Sequence, residues 1–190
     1  MVMQDSLVND LKHGTEEERF RAVCELGRRG TNDPAMILLL SELVDMHLSP
    51  RMDSAIATTL GKSGSPLAVA PLCTIIRRRY LSFTSARRAA TALGTMGIVA
   101  VDSIPILVDA FRSHKTRTRH YARMATWNIG EACIKTGDGS VQLALVKALD
   151  GSRRHYLVQR LLQHLVLHAV NDHVKDAALV AYHRLDGQAR

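Results

Sequence analysis

The residues of this 190-residue chain best suited to chemistry are its cations, which gather in three groups. Arg77, Arg78 and Arg79 are followed by Arg87 and Arg88; Arg112, Lys115, Arg117, Arg119 and Arg123 form a second group; Arg153 and Arg154 form a third. Arginine in the last turn of a helix complements the helix dipole, and that accounts for Arg77 to Arg79. It accounts poorly for Arg87, Arg88, Arg117, Arg119, Arg153 and Arg154, which the hydrophobic pattern places in first turns, where backbone N–H groups already favour anions. The chemistry such groups offer is the binding of a phosphate backbone or another acidic partner. Nucleic-acid contact would be backbone-dominated and strongly salt-dependent. Stacking platforms for bases need more aromatics than one Trp, four Tyr and three Phe.

Histidine offers a second chemistry. His164, His168 and Asp172 follow i, i+4, i+8 spacing, yet at 1.5 Å per residue the outer two lie ~12 Å apart, so one ion cannot be held by all three. They are expected to flank the apolar face of Leu161, Leu162, Leu165 and Ala169, with no metal site. Cys24, Cys73 and Cys133 lie far apart with no CxxC pair and read as reduced, buried core residues. No phosphate-binding loop, nucleophile elbow or dinucleotide fingerprint is present, and no pattern calls for a cofactor. Gly137-Asp138-Gly139 reads as a turn whose Asp can cap the next helix.

The elements that must position these residues are set by a repeat. Leu26-Gly27-Arg28-Arg29-Gly30, Leu60-Gly61-Lys62-Ser63-Gly64, Leu93-Gly94-Thr95-Met96-Gly97 and Ile129-Gly130-Glu131-Ala132-Cys133 place their first glycines 34, 33 and 36 residues apart. Each follows an alanine-rich helical stretch and precedes a second amphipathic stretch, giving one helix-turn-helix per period. The glycines are expected to end the first helices, whose small side chains let neighbouring backbones approach, while the second helices supply the core. Stacked pairs would make one continuous core. Helices are predicted over residues 4–13, 15–28, 34–47, 52–61, 66–80, 84–96, 101–113, 117–133, 140–150, 153–170 and 173–185, with no strand. Pro71 and Pro105 are expected to kink the helices that contain them.

The L-G-x-x-G signature after an Arg/Ala-rich helix, with Pro71 and Pro105 34 residues apart, resembles bacterial HEAT repeats of the phycobilisome-lyase-like variety. The resemblance implies an all-α, right-handed solenoid of about four to five helix pairs in a single domain over residues 1–190. Residues 1–14 would be a leading helix, 15–150 the clear repeats and 151–190 a divergent capping pair. In such a stack the three basic groups would line one edge as a ridge. Arg21 and Arg88, each six residues before a signature glycine, are the alternative candidates for the structural arginine that such repeats carry inside the stack.

What the resemblance implies about function is broad, because the fold hosts scaffolds, adaptors and enzymes. Alkylpurine DNA glycosylases with a HEAT-like fold carry a Trp and a carboxylate one turn apart, and Trp127 and Glu131 have that spacing. This chain has Glu where that family's pattern has Asp, and no second Trp; Trp127 also sits where a core residue is expected. Bilin lyases would need a tetrapyrrole groove that nothing marks, and the di-iron hydroxylases need His-Glu pairs that are absent here.

The bulk properties fit these expectations. Apolar residues make up 46% of the chain, which suits helices packed through Leu, Ile, Val and Ala. Unbroken apolar runs such as Ala35 to Leu40 fall short of the ~20 residues that span a bilayer, so a soluble, cytoplasmic protein without membrane insertion is expected. Net charge is +7, but residues 1–50 hold five Lys/Arg against nine Asp/Glu while residues 51–190 hold twenty against nine, or −4 against +11. The expected function is a non-enzymatic scaffold or adaptor that binds a protein partner, with nucleic-acid binding through the ridge as the alternative. A glycosylase-like or lyase-like enzyme stands third. Leu157, Leu161, Leu162, Leu165 and Val166 could also drive self-association if the last pair leaves them uncovered.

Overall fold

A computed structural model describes residues 2–46, 49–78, 83–113 and 116–187, apart from the side chains of residues 2–5 and 83. All regular structure among these residues is helical. The helices are α1 (Val2–His13), α2 (Glu16–Arg29), α3 (Pro34–Asp45), α4 (Pro50–Ser63), α5 (Val69–Arg77), α6 (Phe83–Met96), α7 (Ile104–Ala110), α8 (Thr116–Lys135), α9 (Gly139–Asp150), α10 (Tyr156–Leu167) and α11 (Asp172–Gly187). Short 3-10 segments, Pro66–Ala68 and Gly97–Ser103, lead into α5 and α7. Contacts gather the chain into two compact units, Met1–Ala92 and Leu93–Arg190.

Local chemistry explains where the helices start. Thr15 and Glu18 form a reciprocal capping box ahead of α2, with Glu16, Glu17 and Glu18 in its first turn and Arg28 and Arg29 in its last. Asp33-Pro34, Ser49-Pro50 and Ser65-Pro66 each pair a capping side chain with a proline at the first helical position. Pro71 and Pro105 also belong to first turns, as the third residue of α5 and the second of α7. Neither proline therefore lies in a helix interior as expected: each sits where a 3-10 segment hands over to a new α-helix, and the first turn's N–H groups have no intrahelical partner to lose.

The two glycines of the signature do different work, contrary to the expectation that both end helices. The second one carries the positive φ: Gly30, Gly64 and Gly97 have φ of 78°, 60° and 59°. The fourth copy has Cys133 at that position, and α8 accordingly runs on to Lys135, with Gly137 supplying the left-handed residue at φ 66°. The first glycine lies inside its helix at a close crossing. In the first unit a Cβ on Gly27 would stand 2.5 Å from Thr59 Oγ1, and one on Gly61 would stand 2.5 Å from the Cβ of Ala92. In the second unit a Cβ on Gly94 would meet the Cα of Ala125 at 2.9 Å, and one on Gly130 the Leu161 side chain at 2.6 Å. Each crossing thus joins a first helix to the next one along the chain, α2 to α4, α4 to α6, α6 to α8 and α8 to α10.

Core residues come from one stripe of each helix. In the first unit Ile37, Leu40, Ile56, Leu60, Leu72 and Ile76 are fully buried, and in the second Leu107, Ile129, Leu145, Leu161 and Leu165 are. Thr59 satisfies its buried hydroxyl by donating to the Val23 and Ala55 carbonyls. Gln142, also buried, donates to the Ile134 and His168 carbonyls and accepts from the Val170 N–H, tying the ends of α8 and α10 to α9. Helix α11 packs along α10, so Leu157, Leu161, Leu162 and Leu165 are covered within the chain, while Val166 is half-buried. Leu167, by contrast, is 79% exposed.

One further expectation changes, that all three cysteines are buried. Cys73 and Cys133 are buried, and burial pushes both thiols up to about 11. Cys24 is exposed, because α2 turns Ala22, Val23 and Leu26 to the core and leaves position 24 on the opposite face. The helical stretch Thr84–Ala110 contains an 18-residue window of mean hydropathy 1.7, long and apolar enough, by length and composition, to cross a membrane. Counting only unbroken apolar runs misses it, since Thr, Ser, Gly and Asp102 interrupt the apolar residues. Ala89, Ala90, Leu93, Ile104 and Leu107 within it are buried in the protein.

Candidate interaction surfaces

The basic groups do not all reach solvent as a ridge would need. Arg78 is folded in, its side chain 11% exposed: its guanidinium donates to the Val44 carbonyl and lies 3.9 Å from Asp45, serving the C-terminal end of α3. Arg153 pairs with Asp109 at 3.3 Å and Arg154 with Asp186 at 3.4 Å. Both precede α10, which starts at Tyr156 behind the N-cap His155, so they do not oppose its dipole from a first turn as expected. Arg87 and Arg88 likewise stand in the second turn of α6. Arg119 donates to Thr116 Oγ1 at 3.2 Å, within the first turns of α8 that also hold the exposed Arg117. Arg77 is exposed at the end of α5. Arg79 and Lys115 lie outside the described residues.

Arg123 has a different setting. It is half-buried, its guanidinium 5.8 Å from the ring centres of both Phe111 and Tyr156, with one nitrogen 3.4 Å from His155 Nε2. His155 Nδ1 accepts the Leu157 N–H as the N-cap of α10. Burial, then the Arg123 charge, hold the imidazole below its ordinary pKa. Arg123 is thus a packing element of the second unit.

Within the first unit the same helices build an open groove of about 570 Å³. Arg51, Ser54, Thr58 and Lys62 follow one another along its α4 wall at i, i+3, i+7 and i+11. Helix α2 contributes Phe20, Cys24 and Arg28, and α6 contributes Arg88. Every charged residue that lines it is a cation. Arg51 lies 3.7 Å over the Phe20 ring and 3.2 Å from Glu17. Arg28 pairs with Glu25, whose carboxyl it holds, together with Arg29, at about 2. Lys62 donates to the Gly27 carbonyl at 2.7 Å and Arg88 to Thr58 Oγ1 at 3.2 Å, so neutral acceptors hold both charges. Neither candidate for a structural arginine is buried: Arg88 is exposed, and Arg21 is 75% exposed with Glu17 3.8 Å away.

Sequence reasoning missed this groove because residues 1–50 carry net negative charge. The helical period was the signal available. Positions 20, 24, 27 and 28 on α2 fall on one face; Glu17, three residues before Phe20, shares it and is paired with Arg51, while Glu18 is held by the Thr15 backbone and hydroxyl.

Trp127 and Glu131 share a face of α8 in the second unit, as their spacing requires. Trp127 is half-buried instead of lying in the core. His164 stacks on the indole at 6.1 Å with an 11° interplanar angle, and the Arg160 guanidinium lies 5.2 Å from its centre. Glu131 is 3.0 Å from Lys135 and 2.9 Å from His164 Nδ1; the Lys135 ammonium chiefly holds its carboxyl below the usual range. The indole face and the carboxylate therefore already have partners from α10 and α8. His168 meets the edge of His164 at 4.5 Å, but Asp172 opens α11 and is not on the same helix. Among the described residues no three His, Cys, Asp or Glu side chains come together as metal ligands.

A comparison with known protein families finds no match, and none of the curated proteins is significantly similar to the chain.

Proposed function

We propose that the protein is a non-enzymatic interaction module, an α-solenoid of HEAT-like helix pairs that binds a protein partner through its helical surface. The crossing at the first glycine of each signature supports the solenoid: it recurs four times, each time between one first helix and the next at an offset of 31 or 32 residues. Close contacts that recur at one spacing are what repeats stacked at a constant step would produce. The groove on α2, α4 and α6 is the observation that carries protein binding: it combines concavity, an aromatic ring and four cations, two of which, Lys62 and Arg88, are held by neutral oxygens.

The arginines weigh against a phosphate-binding ridge, since Arg78, Arg153 and Arg154 are already engaged within the chain. The test is a salt series with labelled duplex and single-stranded DNA and RNA, beside affinity capture on the immobilised full chain at 0.15 and 0.5 M salt on the order of physiological and above. Capture of a defined protein that survives the higher salt is expected. Micromolar nucleic-acid binding that falls steeply with salt, and disappears when Arg77, Arg88, Arg117 and Arg119 become Ala, overturns the proposal.

A further inference from the structure

Resting on that reading, we infer that the groove of the first unit is a docking site for an acidic, extended peptide segment of a partner protein, lying along α4. Its charge commits it to an anion: Arg28, Arg51, Lys62 and Arg88 line it and no carboxylate does. Among the described residues, the partners of Lys62 and Arg88 are neutral oxygens, so a ligand carboxylate adds an ionic contact without displacing one. Its length suits a short extended chain. Arg51 and Lys62 stand eleven residues apart on α4, ~16 Å at the helical rise, which is the span of about five extended residues.

The floor distinguishes a peptide from a nucleic acid. Phe20 is the aromatic ring of the groove, and the Arg51 guanidinium at 3.7 Å covers its face, so no base can stack there. A peptide can put an apolar side chain between its acids, over the part of the floor formed by Cys24 and Ala55, and hydrogen-bond through its backbone to Ser54 and Thr58.

The full chain is titrated against fluorescein-labelled Glu-Glu-Leu-Glu-Glu, the charge-swapped Lys-Lys-Leu-Lys-Lys and a ten-nucleotide single-stranded DNA, read by anisotropy. The acidic peptide binds and the basic one does not. R51E/R88E weakens binding by about tenfold or more, while R51K/R88K stays within about threefold. Cys24 gives a second readout on the unaltered chain, since it lines the groove and the other two cysteines are buried: saturating acidic peptide slows its alkylation, and the basic peptide does not. Equal binding of both peptides, an unaffected R51E/R88E variant or an unprotected Cys24 overturns the inference. Tighter binding of the DNA, lost in R51E/R88E, overturns it in favour of nucleic acid. A captured partner that still binds R51E/R88E removes the groove and leaves the interaction module standing.

Discussion

Replacing Gly61 by Ala sets two physical effects against each other and lets the structure decide. Alanine is the better helix former by ~1 kcal/mol, so a purely local account makes Gly61→Ala stabilising in the interior of α4. The crossing reverses the sign. The new methyl would lie 2.5 Å from the Cβ of Ala92 and 3.1 Å from its Cα, about 1 Å short of ordinary contact at 3.4–4 Å. Neither obstacle is the end of a flexible side chain, so α4 and α6 must separate, and overpacking against such rigid atoms costs about 2–3 kcal/mol, the upper part of the usual range. A net loss of about 1–2 kcal/mol is expected, a fall of roughly 2–8 °C in Tm for a chain of this size. Urea and thermal unfolding followed by circular dichroism measure it, with Gly187→Ala as the control because nothing lies within 4 Å of its Cβ position. In the double variant Gly61→Ala/Ala92→Gly the main clash is gone, so the two changes are coupled favourably by about 1 kcal/mol. If Gly61→Ala matches or exceeds the parent in stability, or the double variant shows no coupling, the close-crossing account of the repeat glycine is wrong.

Three other outcomes are expected. Native protein treated with a maleimide takes one label, at Cys24, while Cys73 and Cys133 react only after denaturation, since burial both hides them and pushes their thiols up to about 11; mass spectrometry of the labelled peptides checks this. His155 has its pKa lowered in the fold, so the neutral form is the one the fold prefers: its contribution is fully present above the unfolded value near 6.5 and is lost as pH falls through the depressed folded value. A Tm measured between about pH 7.5 and 5 therefore falls for the parent, and less for His155→Asn, which can still cap α10 but does not titrate; equal slopes would sink the assignment. Thr15→Ala removes the capping box of α2 and lowers unfolding stability by about 1 kcal/mol, measured by urea titration; an unchanged midpoint would mean the cap is not formed in solution.

Much of the local architecture was legible in the sequence because its causes are local. Ser49-Pro50 and Asp33-Pro34 start helices through a side-chain cap and a preset φ, and Gly30, Gly64 and Gly97 end them because a left-handed residue disfavours a Cβ. The loss of the second glycine at Cys133 was visible too, and its effect on α8 follows from the same cause. What the candidate surfaces became was not legible in this way. Arg153 and Arg154 read as free cations in a local window, yet Asp109 and Asp186 lie 44 and 32 residues from them in sequence. Nor does local charge reveal a groove whose walls come from three separate helices.

The sequence by itself determined the helical content, the helix boundaries to within a few residues and the period that repeats the signature, since capping, turn chemistry and hydrophobic spacing act over a few residues. Only the tertiary structure decided that the first glycine of each signature is a contact point between helices, that Cys24 faces out while Cys73 and Cys133 face in, and which arginines remain for a partner. Those outcomes depend on the through-space distance between residues ~30 positions apart. An ion pair or a close crossing is set by how helices pack, and the spacing of residues along one helix does not encode it.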